Sequence, residues 1–168
     1  MQHETAPAWR ATVIRDFARS ELFERTFHEG MELVEETAAY LDGAGRQESK
    51  LLSRDGALAY AAESMRLTTR LMQVASWLLV QRAVREGDMA PAAACEERYR
   101  LNEDTGESAD DPGRRELPRG LLTLGDRAER LYDRVRHLDR RMYVEVEAQA
   151  AANPVRGHLD RLKDAFGS

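Results

Sequence analysis

Along this chain apolar residues recur at steps of three and four, the spacing of one face of an α-helix, and strand-type alternation is absent. In "ELFERTFHEGMELVEETAAYLDG", Phe23, Phe27, Met31, Val34, Ala38 and Leu41 fall on one stripe. Ser20 precedes it as a side-chain N-cap and Gly43 follows as a stop. Gly30 interrupts this helix at a cost of ~1 kcal/mol relative to alanine. It marks either a close approach of another backbone or a tolerated defect. "GAGRQESK" reads as a connecting loop. A second helix is expected from about Ser53 to Glu86, with Gly87 as its stop. Its stripe is Leu58, Met65, Leu67, Leu71, Val74, Leu78 and Val84. Beside it run Met72, Ala75, Leu79 and Ala83, with Trp77 and Val80 filling in. Only a narrow edge of Arg66, Thr69, Arg70, Gln73 and Ser76 is polar.

"DMAPAAACEERYRL" reads as a short helix with Pro91 at its first position. The segment 102–117, acidic and turn-rich, reads as an exposed, flexible linker. A third long helix begins near Pro118, where Leu121, Leu124, Ala128, Leu131, Val135, Leu138 and Met142 keep a heptad rhythm. Asn153-Pro154 ends it. At the other end, Trp9, Val13 and Phe17 suit a short helix or a packed arm. The pattern therefore predicts an all-α protein: an elongated three-helix bundle with a short extra helix. Its parts are an N-terminal arm over 1–19, a bundle over 20–152 and a flexible C-terminal tail over 153–168.

Bulk properties narrow the function. Charged residues are 33% of the chain, the net charge is -5 and the pI is near 5.5. That balance argues against a general nucleic-acid binder, which needs a basic face to displace counterions. It argues equally against docking on anionic lipid. The single cysteine, Cys95, fits a reducing compartment, and the N-terminus carries no secretion signal. No stretch approaches the ~18 uninterrupted apolar residues of a spanning helix. A cytoplasmic location is expected.

Candidate chemistry is sparse. A di-iron bundle needs Glu-x-x-His pairs on facing helices, and this chain has none; Glu24 and His28 stand at i, i+4. His28 reads as a surface or boundary residue. Glu96 and Glu97 make Cys95's setting the reverse of an activated thiol's, so Cys95 reads as a packing residue. Phosphate-binding glycine loops are missing. The arginines of the third helix are interleaved with Asp126, Glu129, Asp133 and Asp139, which suits a solvated face of ion pairs. No catalytic residue, metal ligand or cofactor is expected. The alternatives are a bundle binding a small ligand or metal, and a DNA-associated helical regulator.

The second helix is apolar over most of its circumference, more than a small bundle can cover. A homodimer is expected, with Trp77 and Leu78 as interface candidates. Arg66, Arg70 and Gln73 suit internal pairing with the first helix or a recognition surface. In the tail, Leu159, Leu162 and Phe166 recur at i, i+3, i+7 and suit docking in a groove.

Two long stretches carry a resemblance: "EGMELVEETAAYLDGAGR" from Glu29, and "ESMRLTTRLMQVASWLLVQRAV" from Glu63. With the weaker "LYDRVRHLD" from Leu131, they resemble the alphaproteobacterial RcdA family, regulators of CtrA degradation. The resemblance covers roughly Ser20 to Asp139. It implies a dimerising three-helix bundle without catalytic residues. It further implies an adaptor that helps deliver a cell-cycle transcription regulator and other cargo to the ClpXP protease. Its partners would be a response-regulator-type priming factor and a cyclic-di-GMP-binding adaptor, gathered at a cell pole. A C-terminal tail, here about Asn153 to Ser168, would engage the primed protease.

Overall fold

The structure, a computed structural model, describes residues 8–101 and 112–151, excepting the side chains of 9, 10 and 143–151. Six α-helices follow in order: α1 (Ala8–Ala18), α2 (Glu21–Asp42), α3 (Ala44–Ser49), α4 (Arg54–Glu86), α5 (Pro91–Ala94) and α6 (Arg119–Ala151). Short 3-10 turns lie at Glu97–Tyr99 and Pro112–Glu116. There is no strand among the described residues. α2, α4 and α6 are the three long rods read from the apolar spacing.

Local chemistry sets the helix ends. The Ser20 hydroxyl accepts from the Phe23 amide (3.2 Å) and donates to the Phe17 carbonyl (2.7 Å), so one side chain both starts α2 and ties it to α1. Gly87 ends α4 at φ 83°, a left-handed conformation that favours glycine. There the Asp88 amide reaches the Ala83 carbonyl (2.9 Å) and the Gly87 amide reaches Val84 (3.2 Å), the paired bonds of a Schellman cap. Pro91 opens α5 as its spacing predicted.

Ion pairs fix the directions of the rods. Glu36–Arg127 (2.6 Å) and Glu29–Arg134 (2.5 Å) set α2 antiparallel to α6. Glu24–Arg85 (3.5 Å) sets α2 antiparallel to α4. α4 and α6 are therefore parallel. Trp77 meets Asp139 across this pair, 62 residues away, and Arg70 meets Tyr132 at the same separation. A parallel pair obliges the chain to return along the bundle between Gly87 and Pro118, a span of ~50 Å for a helix of α4's length.

The core joins all the long elements. Phe23, Leu33, Leu67, Val74, Leu78, Leu121, Leu131 and Val135 are fully buried. α1 adds Ile14 and Ala18, and the Phe17 ring lies 5.8 Å from Phe23 and 5.7 Å from Trp77. Every heptad position read in α6 is buried or half-buried. In α2 the buried face is rotated by about one residue from the predicted stripe: Phe23, Thr26, Gly30, Leu33 and Thr37 are buried, and Ala38 is exposed. Thr26 can be buried because its hydroxyl donates to the Leu22 carbonyl (2.8 Å). At Gly30 a side chain, not a backbone, approaches: a Cβ would lie 2.7 Å from Leu78 Cδ1.

Two expected loops differ. Residues 44–49 form α3, where the Gln47 amide bonds to the Gly43 carbonyl (3.3 Å) and Tyr40 donates to Glu48 (2.9 Å). The linker expected over 102–117 is ordered in its last part. Glu116 accepts from both the amide (3.1 Å) and the hydroxyl (2.6 Å) of Ser53, which caps α4 by accepting from Gly56 (3.1 Å). Buried Leu117 anchors the same segment. In a capping box a glutamate at the third helical position closes back on the N-cap amide. Here that position is Gly56, and a carboxylate from the far end of the return connection takes the role. A Cβ at Gly56 would stand 2.6 Å from Glu116 Oε2.

Candidate interaction surface

The α4 rod carries two apolar sets that interleave in sequence and part in space. Leu67, Leu71, Val74 and Leu78 turn into the core. Leu58 (61% exposed), Met65 (72%), Met72 (65%) and Leu79 (50%) turn out. These four stand seven residues apart. The exposure of Leu58 and Met65 corrects the core stripe expected to include them.

The face around them is uncharged. From Ala57 to Leu79 every exposed residue of α4 is Ala, Leu, Met, Thr or Ser. The charged residues of this segment are turned aside and engaged. Arg66 donates to Glu63 (2.7 Å), with Arg114 3.8 Å from the same carboxylate oxygen. The Arg70 guanidinium lies 5.9 Å from the centre of the Tyr132 ring. In a chain one-third charged, an exposed uncharged strip ~30 Å long is out of keeping with a solvated surface. The seven-residue spacing of Leu58, Met65, Met72 and Leu79 was the signal for it in the sequence.

Of the three bundle-edge candidates, Arg66 and Arg70 are thus held within the chain. Gln73 alone lines a groove, of about 400 Å³, between α4 and residues 98–101. Trp77 and Arg100 line it too, and the Gln73 Oε1 there has no hydrogen-bond partner among the described residues. The interface candidates Trp77 and Leu78 are 3% and 0% exposed within the single chain, so neither reaches a second copy without unpacking the core. The tail residues Leu159, Leu162 and Phe166 lie outside the described residues.

Behind this groove Asp139 is buried, its Oδ1 accepting from the Trp77 indole N–H (3.0 Å) and its Oδ2 3.7 Å from Arg100 Nε. Burial pushes its carboxyl above the usual aspartate range, against the opposing pull of the Trp77 and Leu101 N–H groups and the Arg100 charge. A second groove, of about 560 Å³, runs between α2 and α6, with Leu22 and Leu138 as its apolar lining and Arg25, Arg134 and His137 beside them. His28 is exposed and lies 3.1 Å from Glu32, and Cys95 is buried with its thiol against the Pro91 carbonyl (3.3 Å). Among the described residues, no three His, Cys, Asp or Glu side chains gather as a metal site, and no helix is long and apolar enough to cross a membrane.

Fold and surface together define an all-α bundle whose most distinctive exposed feature is an uncharged helix face. The chain belongs to the RcdA family. Residues 14–166 match the model of a family described as a protein of unknown function, DUF1465. A crystal structure of RcdA from Caulobacter crescentus CB15 is 70% identical, over 77% of this chain and 98% of that one, with a TM-score of 0.64. No curated protein matches the chain.

Proposed function

We propose that the chain is a non-enzymatic adaptor that helps deliver a cell-cycle transcription regulator and other cargo to the ClpXP protease in the cytoplasm, gathered at a cell pole. The observation that carries this reading is the 70% identity to RcdA across nearly the whole of that protein. The uncharged α4 face supports it, since an exposed apolar strip suits contact with another protein. Tethering raises the local concentration of cargo at the protease, so modest affinities suffice when several links act together. The bundle supplies the rigid platform and works as a homodimer. Leu159, Leu162 and Phe166 supply the tail contact to the protease and its response-regulator-type priming factor. Gln73, beside Arg66 and Arg70, contributes an edge contact to a partner, and a cyclic-di-GMP-binding adaptor is among the partners of the assembly.

The test is degradation of cargo by purified ClpXP and its priming factor, with and without this chain. Faster cargo loss in its presence is expected. An unchanged rate at saturating adaptor would overturn the reading. A chain ending at residue 152 should lose most of the acceleration; if it keeps it, the tail has no part in delivery.

A further inference from the structure

One end of the bundle is basic in an acidic chain. It is built from residues 42–55, which lead from the end of α2 through α3 into α4, and from residues 112–120, which lead into α6. These two stretches hold six cations and four carboxylates, a surplus of two in a chain of net -5, so the rest carries -7. Close contacts hold the stretches together. Glu116 accepts from Ser53, Gly113 packs against the Asp55 carbonyl with no room for a Cβ, and Gly120 does the same against the Tyr40 ring.

The carboxylates of this end are mostly engaged, and the cations are not. Asp42 lies 3.9 Å from Arg46, Glu48 accepts from the Tyr40 hydroxyl, and Glu116 is held by Ser53. Asp55 is left as the one carboxylate here whose side chain has no hydrogen bond or ion pair among the described residues. Arg54, Arg115 and Arg119 are exposed and make no ion pair among the described residues, and Lys50 reaches only Gln47 (3.4 Å). Between Lys50 and Arg54 in the chain, Leu51 is 87% exposed, more than any other large apolar side chain among the described residues. A lone exposed leucine is ordinary on a protein surface. One set among uncommitted cations offers both halves of a recognition contact, an apolar anchor and charges to fix it.

We propose that this end of the bundle docks an acidic segment of a partner protein, in which an apolar side chain is flanked by carboxylates. Leu51 is the anchor, and Lys50, Arg54, Arg115 and Arg119 meet the carboxylates. Two other anionic partners fit less well. A nucleic acid calls for aromatic side chains to stack its bases or a long row of phosphate contacts, and neither stretch holds an aromatic residue. An anionic membrane calls for a broader apolar face than one leucine. The rest of the chain favours the proposed partner, because its charge of -7 repels an acidic segment elsewhere and steers it to this end. The surface rests on the adaptor reading only for its use: on a partner in the delivery reaction, such a segment adds one more tether.

The test uses the full chain and defined probes. These are a labelled peptide of glutamates around a central leucine, its lysine counterpart, and vesicles of phosphatidylglycerol and phosphatidylcholine. Peptide binding is followed by fluorescence anisotropy and vesicle binding by co-sedimentation. The variants are Leu51→Ser and the pair Lys50→Glu with Arg115→Glu, all at exposed positions, and circular dichroism checks the fold. The glutamate peptide should bind the intact chain, and more weakly as salt rises from ~0.05 M to ~0.5 M and screens the exposed charges. Each variant should weaken it about fivefold or more, the loss expected when an interface residue of weight is removed. The lysine peptide and the vesicles should not bind. No binding of the glutamate peptide, or binding that both variants leave unchanged, would overturn the site. Equal binding of the lysine peptide would overturn the charge match, and vesicle capture lost in Leu51→Ser would overturn the protein partner in favour of lipid. In the cargo degradation assay both variants should raise the concentration for half-maximal delivery by a similar factor; an unchanged value would overturn the surface as a tether. An intact chain that binds the peptide and delivers no cargo would sink the adaptor reading and leave this surface standing.

Discussion

Trp77 and Asp139 meet across the parallel pair α4 and α6, the indole N–H donating to the carboxylate at 3.0 Å with both residues buried. Arg100 and the Leu101 N–H reach the same carboxylate from the return connection, so one acid ties three segments together. Burial nevertheless outweighs these partners and raises the pKa. Folded Asp139 therefore binds its proton at a higher pH than the unfolded chain, whose aspartates titrate near 3.8. Its stabilising effect is complete below that value and is lost as pH rises through the folded pKa. Asp139→Asn does not titrate and keeps an oxygen for the indole. Urea unfolding of both proteins from pH 7 toward pH 4 should show the difference moving in favour of the wild type as pH falls. A shift toward the variant would mean that the buried anion, not the acid, is the stabilised form.

The Ser53–Glu116 contact makes a different claim, about coupling. Ser53→Ala removes an N-cap and should destabilise the chain by about 1 kcal/mol. It also removes the hydroxyl that donates to Glu116 at 2.6 Å. Glu116→Ala should therefore have a smaller effect in the Ser53→Ala background than alone, since the two residues share one network. Equal effects in both backgrounds would show that the return connection is held by Leu117 and its neighbours without the cap. The Ser53 bonds also hold the Glu116 carboxyl below the usual glutamate range, so its contribution is present at neutral pH and is lost as pH falls.

Much of this was legible because it is local. Ser20, Ser53, Gly43, Gly87 and Pro91 set helix ends through bonds spanning a few residues, and all five stand where the sequence placed them. α6 was legible because one apolar stripe on a polar helix can face only one way. α4 was not, because it carries two stripes. Nothing within α4 says whether Leu67 or Met65 faces α6; the partners decide. Likewise the α2 core face holds Thr26, Gly30 and Thr37, which read as polar or weak, because the neighbouring rods come close enough to need small residues there. Glu116 as a cap, 63 residues from Ser53, and Asp139 as a buried acid depend on contacts no local pattern contains.

Gly30 gives a packing prediction. Alanine there gains ~1 kcal/mol of helix propensity. Its methyl, however, would stand 2.7 Å from Leu78 Cδ1, and Leu78 is wholly buried, so its side chain must shift within the core. Overpacking of this kind costs typically 1–3 kcal/mol. Gly30→Ala should therefore be neutral to ~2 kcal/mol destabilising, instead of the gain an exposed helix site would give. In a Leu78→Ala background the clash is gone, and the same substitution should become stabilising. No change of sign between the two backgrounds would place the strain elsewhere.

The tail can be separated from the fold. Among the described residues the buried core runs from Ile14 to Met142, so none of it is lost when residues 153–168 are removed. The shortened chain should melt within ~2 °C of the full one, since 1 kcal/mol moves the midpoint of a chain this size by about 2–4 °C. Loss of cargo delivery with an unchanged melting point would place the tail's role in binding. A fall of ~4 °C or more would instead mean that Leu159, Leu162 and Phe166 pack against their own bundle. The apolar groove between α2 and α6, lined by Leu22 and Leu138, would then be the first place to look for them.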